Sequence, residues 1–257
     1  MKILIAGETP FIEEIGQLCL AAGHDTTLYL VEDFYSAVES GSFMPVEGSV
    51  DVLIELHNES ADAKQELLLG LGQVLPPRAL VLASALATSA TQAAAWVPNP
   101  QRVVGFGVVP PLGPAGLVEL APALQTNDAN LARAAAFWKG LGCDTVIVAD
   151  GPGLVRARVV CCLINEATSA LMEGVATAED IDKAMKLGTN YPMGPLAWAD
   201  LLGLDMVLGV MNGLFAEWGE DRYRPTPLLR RMVAAGYLGR KSGQGFYVYP
   251  AGAGNKA

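Results

Sequence analysis

The sequence predicts an α/β doubly wound sheet followed by an all-α C-terminal domain, and three observations carry the prediction. Short apolar runs alternate with amphipathic stretches at helical spacing from residue 2 to residue 150. Beyond Asp150-Gly151-Pro152-Gly153 the texture changes to long helical periodicity. The charge changes with it: residues 1–150 hold 6 basic and 17 acidic side chains, residues 151–257 hold 11 and 10. Two modules, 1–150 and 151–257, are therefore expected. Of the 257 residues 51% are hydrophobic and 17% charged, which rules out a disordered chain.

The first elements form a strand, a turn and a helix. Residues 2–6 are apolar and lead into Gly7; Phe11, Ile15, Leu18 and Cys19 then recur at helical spacing over 10–22, and Gly23 ends the run. Strands follow at 26–31 and 50–56, with an amphipathic helix at 61–71. Further strands are predicted at 80–83, 103–109, 117–120 and 145–148 and a helix at 129–140, enough for a sheet of six or more strands. The second module reads as helices over 154–172, from a cap at Thr177 with Asp180 three residues on, over 196–218 and over 228–235. Residues 79–118 contain one ionisable side chain, Arg102, but Ser, Thr, Pro and Gly break the stretch into buried sheet and loop rather than a membrane helix.

Composition removes several function classes. A net charge of −10 without a basic run gives no grip on nucleic acid or on an anionic membrane surface. The four cysteines show no CxxC spacing, and two histidines are too few for an ordinary zinc site, so no metal is expected. The cysteines read as small buried hydrophobes in a reducing compartment. Residues 3–6 are too short for the apolar core of a signal peptide, and a cytoplasmic location is expected.

The turn after the first strand is where a Gly-x-Gly-x-x-Gly dinucleotide motif belongs, because glycines there let the backbone approach a diphosphate at a helix N-terminus. The sequence reads Gly7-Glu8-Thr9-Pro10-Phe11-Ile12. Gly7 alone matches; Thr9 adds bulk at the second position and Ile12 obstructs the third. Glu8, Glu13 and Glu14 favour the helix dipole by roughly 0.3–1 kcal/mol each but repel a diphosphate. The ribose-binding acid expected at the end of the second strand is Leu30, with Glu32 and Asp33 displaced past it.

The second half resembles the 3-hydroxyacyl-CoA dehydrogenases. The resemblance is carried by Asp150-Gly151-Pro152-Gly153 with Arg158, Asn165-Glu166-Ala167, residues 179–185, Tyr191-Pro192-Met193-Gly194-Pro195, residues 200–205 and residues 238–247, in that order. Residues 2–27 also align without a gap; over 31–50 the family's longer helical insertion, which helps hold the CoA tail, is missing. The resemblance implies an NAD-binding first domain, a second domain that pairs two chains, and oxidation of the 3-hydroxyl of an acyl-CoA, with a histidine held by a glutamate as base. Such a base contributes roughly 10²- to 10⁴-fold.

Aligned on the family, the histidine falls on Gly107 and its glutamate partner on Glu119; the substrate-polarising asparagine falls on Ala157. The catalytic serine becomes Leu86 or Ala87, with Thr88 and Ser89 as possible substitutes. Glu59 and Lys64 match an acid and a lysine that contact the cofactor, and Lys241 a late lysine in that region. The alternative readings are a helix-start acid, a solvated lysine and a surface lysine, and for His24 and His57 surface or satisfied histidines.

Two functions are thus expected in competition. One is a divergent NAD-dependent hydroxyacyl-CoA or hydroxy-acid dehydrogenase with a substitute base. The other is a family member impaired or inactive in hydride transfer, serving as a homodimer, as a subunit beside an active paralogue, or as a binder of an acyl-CoA or other apolar small molecule. Pairing is expected through residues 154–236.

Overall fold

A computed structural model describes residues 1–8, 11–31, 33, 36, 50–110, 112 and 116–249. The expectations placed on Thr9, Pro10 and Glu32, and most of those placed on residues 31–50, lie outside the described residues. The chain divides into two compact units, Met1–Val155 and Arg156–Ala257.

In the first unit seven strands form one sheet: β1 (Lys2–Gly7), β2 (Asp25–Leu30), β3 (Val52–Leu56), β4 (Leu80–Ser84), β5 (Val103–Gly107), β6 (Leu117–Pro122) and β7 (Asp144–Ile147). Their order is β2-β1-β3-β4-β5-β6-β7. All neighbours are parallel except β5 and β6, where Phe106 faces Leu120 and Gly107 faces Glu119 in an antiparallel pair. The strand at 103–109 is therefore shorter than the apolar run suggests, because the chain turns back after Gly107.

The helices of this unit are α1 (Phe11–Ala21), α2 (Ala61–Val74), α3 (Ala90–Ala95) and α4 (Asp128–Gly140). The short α3 leaves no mark in the sequence: its alanine-rich run shows no amphipathic period, and its start is fixed at a distance. The Asp150 carboxylate accepts the backbone N–H groups of Ala90 and Thr91 at 2.7 and 2.8 Å, and Ser89 caps Gln92. Leu67, Leu68 and Leu71 of α2 are fully buried against Leu4, Leu53 and Val81 of the sheet. Each such side chain stabilises the unit by roughly 1.5–3 kcal/mol.

The second unit is helical: α5 (Arg156–Met172), α6 (Ala178–Thr189), α7 (Pro195–Leu202), α8 (Leu204–Trp218) and α9 (Pro227–Ala234). The single helix expected over 196–218 is two helices bent by 98°. Gly203 stands at the break with φ of 95°, a backbone conformation that glycine adopts without strain. No single helix among the described residues is long and apolar enough to cross a membrane. Three buried polar side chains tie the unit together. Asn165 donates to Arg224 O and accepts from Thr226 N. Asp182 accepts Leu196 N, Ala197 N and the Tyr247 hydroxyl. Asp200 accepts Phe246 N, Tyr247 N and the Tyr249 hydroxyl, which holds the C-terminal segment onto α7.

Candidate functional site

In an open α/β sheet a ligand meets the crevice beyond the carboxyl ends of the strands where the winding reverses. Here that is the ends of β1 and β3, since the chain leaves β1 for β2 on one side and returns to β3 on the other. Gly7 ends β1. A Cβ on it would lie 2.5 Å from Leu56 Cβ, so the approach of β3 itself requires the glycine.

Just beyond Gly7 the Glu8 carboxylate pairs with His57 Nδ1 at the end of β3. Both side chains are largely covered, 19% and 8% exposed. Three further contacts fix the imidazole and its backbone. His57 Nε2 accepts the Ser60 N–H at 3.2 Å, His57 N donates to Glu55 Oε1 at 2.6 Å, and His57 O accepts Lys64 Nζ at 3.0 Å. Asn58, next in the chain, donates to Leu56 O and accepts the Ser84 hydroxyl of β4 at 2.7 Å. Among the described residues neither His57 Nδ1 nor Glu8 Oε1 makes a hydrogen bond, although the two atoms stand against each other.

Lys64 stands in the first turns of α2, 1% exposed, and its ammonium pairs with the Glu55 carboxylate, 0% exposed, inside β3. The solvated lysine expected as one alternative is thereby corrected. Glu55 escaped notice in the sequence, although a carboxylate inside the apolar run Val52-Leu53-Ile54-Glu55-Leu56 is the visible signal of a buried partner. Glu59 is exposed in the loop before α2, and Leu30, at the end of β2, is 42% exposed.

A second cluster forms where β5 and β6 turn. Glu119 is 2% exposed and accepts Val155 N at 3.2 Å through Oε1. A Cβ on Gly107 would stand 3.5 Å from Glu119 Oε2, but also 2.8 Å from Leu154 Cδ1 and 3.3 Å from Leu86 Cδ2. Leu154 reaches that position from the Asp150–Gly153 turn. Its φ is +48°, the left-handed region, which costs a side chain with a Cβ about 1–2 kcal/mol. Gly153 N to Ala85 O, at 2.9 Å, binds this turn to the loop after β4. In that loop Thr88 is 3% exposed, its hydroxyl without a hydrogen-bond partner among the described residues, and Ser89 is engaged as the cap of α3.

The other aligned positions belong to the second unit. Ala157 is buried in the first turn of α5. Lys241 pairs with Asp205 beside Gly203. An open cavity of about 390 Å³ lies along α6, lined by Lys183, Lys186, Met193 and Tyr247 among others. Burial pushes the Asp200 carboxyl above the usual range against the hydrogen bonds it receives, and burial beside Asp200 lifts the Tyr249 phenol to about 12. Among the described residues no group of three or more His, Cys, Asp or Glu is placed to hold a metal ion. All four cysteines are free; burial lifts Cys19 to about 12.

Residues 30–151 match the family model of the NAD binding domain of 3-hydroxyacyl-CoA dehydrogenase, and residues 153–249 match that of its C-terminal domain. A probable 3-hydroxybutyryl-CoA dehydrogenase of Bacillus subtilis is 42% identical over 199 residues, 77% of this chain and 69% of that protein. The 3-hydroxybutyryl-CoA dehydrogenase of Bradyrhizobium diazoefficiens is 39% identical over 199 residues, 77% of this chain and 68% of that one. The crystal structure of (S)-3-hydroxybutyryl-CoA dehydrogenase from Ralstonia eutropha superposes with a TM-score of 0.76 at 33% identity, covering 96% of this chain and 98% of that one.

Proposed function

The chain belongs to the 3-hydroxyacyl-CoA dehydrogenase family, and from that premise we propose that it keeps the scaffold while being impaired or inactive in NAD-dependent hydride transfer. One observation carries the reading. The place beside the Glu119 carboxylate that a side chain at position 107 would take is filled by Leu154 and Leu86. Oxidising a hydroxyl requires its proton to leave as the hydride does, so a base must stand within about 3 Å of it. One oxygen of Glu119 receives the Val155 N–H, and the aligned asparagine position is the methyl group of Ala157.

The cofactor reading follows the same lines. The family's first domain is an NAD binding domain by its model; when bound there, NAD supplies the hydride acceptor. The residues of this chain do not fit that group well. Glu8 brings a carboxylate to the turn where a diphosphate would need donors, and Leu30 stands where a ribose would meet an acid. Lys64 and Lys241, aligned with cofactor-contacting lysines, are each committed to a carboxylate of their own unit.

For partners we propose pairing of two chains, or of this chain with an active paralogue, through residues 154–236, and an acyl-CoA or other apolar molecule as ligand. Val159 supports the pairing: in the first turn of α5, it is 59% exposed. Light scattering at high concentration is expected to give a dimeric mass, and a strictly monomeric one would refute the pairing of like chains. The catalytic reading is tested by NADH oxidation with acetoacetyl-CoA and highly purified protein. No turnover above the background is expected, and steady turnover would establish the alternative of an active enzyme with a substitute base among Glu119, Thr88 and Ser89.

A further inference from the structure

We propose that the open cavity along α6 binds a small amphiphilic anion, an apolar body carrying one carboxylate, with Lys183 and Lys186 on its charged end. Every residue lining the cavity belongs to the second unit, so the proposal stands independently of the reading of Gly107, Glu119 and the cofactor crevice. At about 390 Å³ the cavity lies near the lower end of the roughly 300–1,000 Å³ range of small-molecule sites. Its walls are fixed before any ligand arrives. Asp182 of α6 receives N–H groups from the first turn of α7, Leu196 N at 2.8 Å on Oδ1 and Ala197 N at 2.9 Å on Oδ2, and Oδ2 also accepts the Tyr247 hydroxyl at 2.8 Å. One carboxylate thereby ties α6, α7 and the C-terminal segment together. Gly194 completes the tie, because a Cβ there would overlap that carboxylate.

The lining divides into an apolar part and a charged rim. Met193, Ala197 and the Tyr247 ring are half-buried, and Leu187, 78% exposed, continues the apolar surface toward solvent. Lys183 and Lys186 stand three residues apart on α6, so they share a helix face, and both are exposed. Among the described residues neither forms an ion pair or a side-chain hydrogen bond, which leaves both free to meet one anion as flexible point charges. The two acids of the lining do not offset them equally. Both oxygens of Asp182 are engaged within the protein. Glu179 alone opposes the lysines, from the first turn of α6, where the helix dipole favours a carboxylate. Burial, with the bond to Asp182, pushes the Tyr247 phenol up, so it serves as a neutral donor to Asp182 and adds no charge to the wall. Two uncommitted ammonium groups against one carboxylate select an anion, and the apolar part of the lining selects one that is mostly hydrocarbon. The surrounding charge does not oppose it: residues 151–257 hold 11 basic and 10 acidic side chains, against 6 and 17 in residues 1–150.

The test is titration of the full chain, labelled with nitrogen-15, with sodium octanoate below the concentration at which it forms micelles, followed by amide NMR. Saturable binding is expected with a Kd of about 1 mM or tighter, and the largest shifts at amides between residues 183 and 197. Octanol, which lacks the charge, is expected to bind at least fivefold more weakly, and octylammonium not at all. Replacing both lysines, Lys183→Met with Lys186→Met, should weaken octanoate at least tenfold; both are exposed, and an unchanged unfolding midpoint confirms the fold. Glu179→Gln should tighten binding, a direction that a merely structural change would not give, and Ala197→Leu should weaken it by filling the apolar part. No saturable shift up to about 10 mM octanoate, shifts centred in the first unit, binding unmoved by the double lysine replacement, or octylammonium binding better than octanoate would each overturn the proposal. So would octanoate binding that falls as protein concentration rises, since a second copy of the chain would then be the occupant.

Discussion

Replacing Lys64 by Met tests whether the first unit is built as described, and the structure sets the size of the effect. Lys64 and Glu55 are 1% and 0% exposed, so Lys64→Met leaves a carboxylate in the interior with no cation. Removing one partner of a buried ion pair costs about 3–5 kcal/mol, most of it the penalty of the stranded charge. The lost bond to His57 O adds to this, while the methylene stem of the lysine is replaced by a side chain of similar volume and contributes little. At about 2–4 °C per kcal/mol for a unit of this size, the melting midpoint of residues 1–155 should fall by roughly 6–20 °C. Combining Lys64→Met with Glu55→Gln removes both charges, and Gln keeps an acceptor for His57 N. The double variant should therefore recover more than about 1 kcal/mol relative to Lys64→Met alone. Urea unfolding followed by far-ultraviolet circular dichroism gives the free energies, and hydrogen exchange of the β3 amides assigns the loss to the first unit. A Lys64→Met protein within about 0.5 kcal/mol of the original would refute the reasoning, since a solvated lysine that only contacts ligand predicts that result.

Three further outcomes are expected. Gly107→His alone should destabilise the protein by about 1–3 kcal/mol and give no activity, because its Cβ meets Leu154 Cδ1 at 2.8 Å; adding Leu154→Ala should recover part of that loss, measured by thermal unfolding. Asp200→Ala should unfold the C-terminal segment, since it strands two backbone N–H groups and the Tyr249 hydroxyl, and Gly245→Ala should do likewise because its Cβ would overlap the Asp200 carboxylate; protease sensitivity near residue 240 reports both. Alkaline stability has a sign fixed by Tyr249: its folded pKa is raised from 10.0 to about 12, so its contribution is intact below pH 10 and lost as the pH rises to 12, and Tyr249→Phe should flatten that part of the unfolding profile.

The fold was legible in the sequence wherever burial imposes a period. Strands β1, β3, β4 and β5 are buried almost from end to end and mostly apolar because both faces are covered, and their runs are read directly. The misreadings share a cause. Gly203 turns the chain by 98° without breaking the apolar pattern across α7 and α8, and α3 owes its start to Asp150, some 60 residues away. The site divides in the same way. Gly107, Ala157 and Glu119 could be placed by alignment, since flanking motifs hold the register. That Leu154 fills the seat beside Glu119, that Lys64 is spent on Glu55 and that His57 meets Glu8 are contacts between segments, which no local pattern encodes.

The most direct test of the central claim is hydride transfer itself, followed by mass spectrometry. The protein is incubated for hours with acetoacetyl-CoA and NADH deuterated at the transferring position, and deuterium in 3-hydroxybutyryl-CoA is counted against a control without protein. The account predicts fewer labelled product molecules than protein chains. Labelled product accumulating through many turnovers per chain would contradict it.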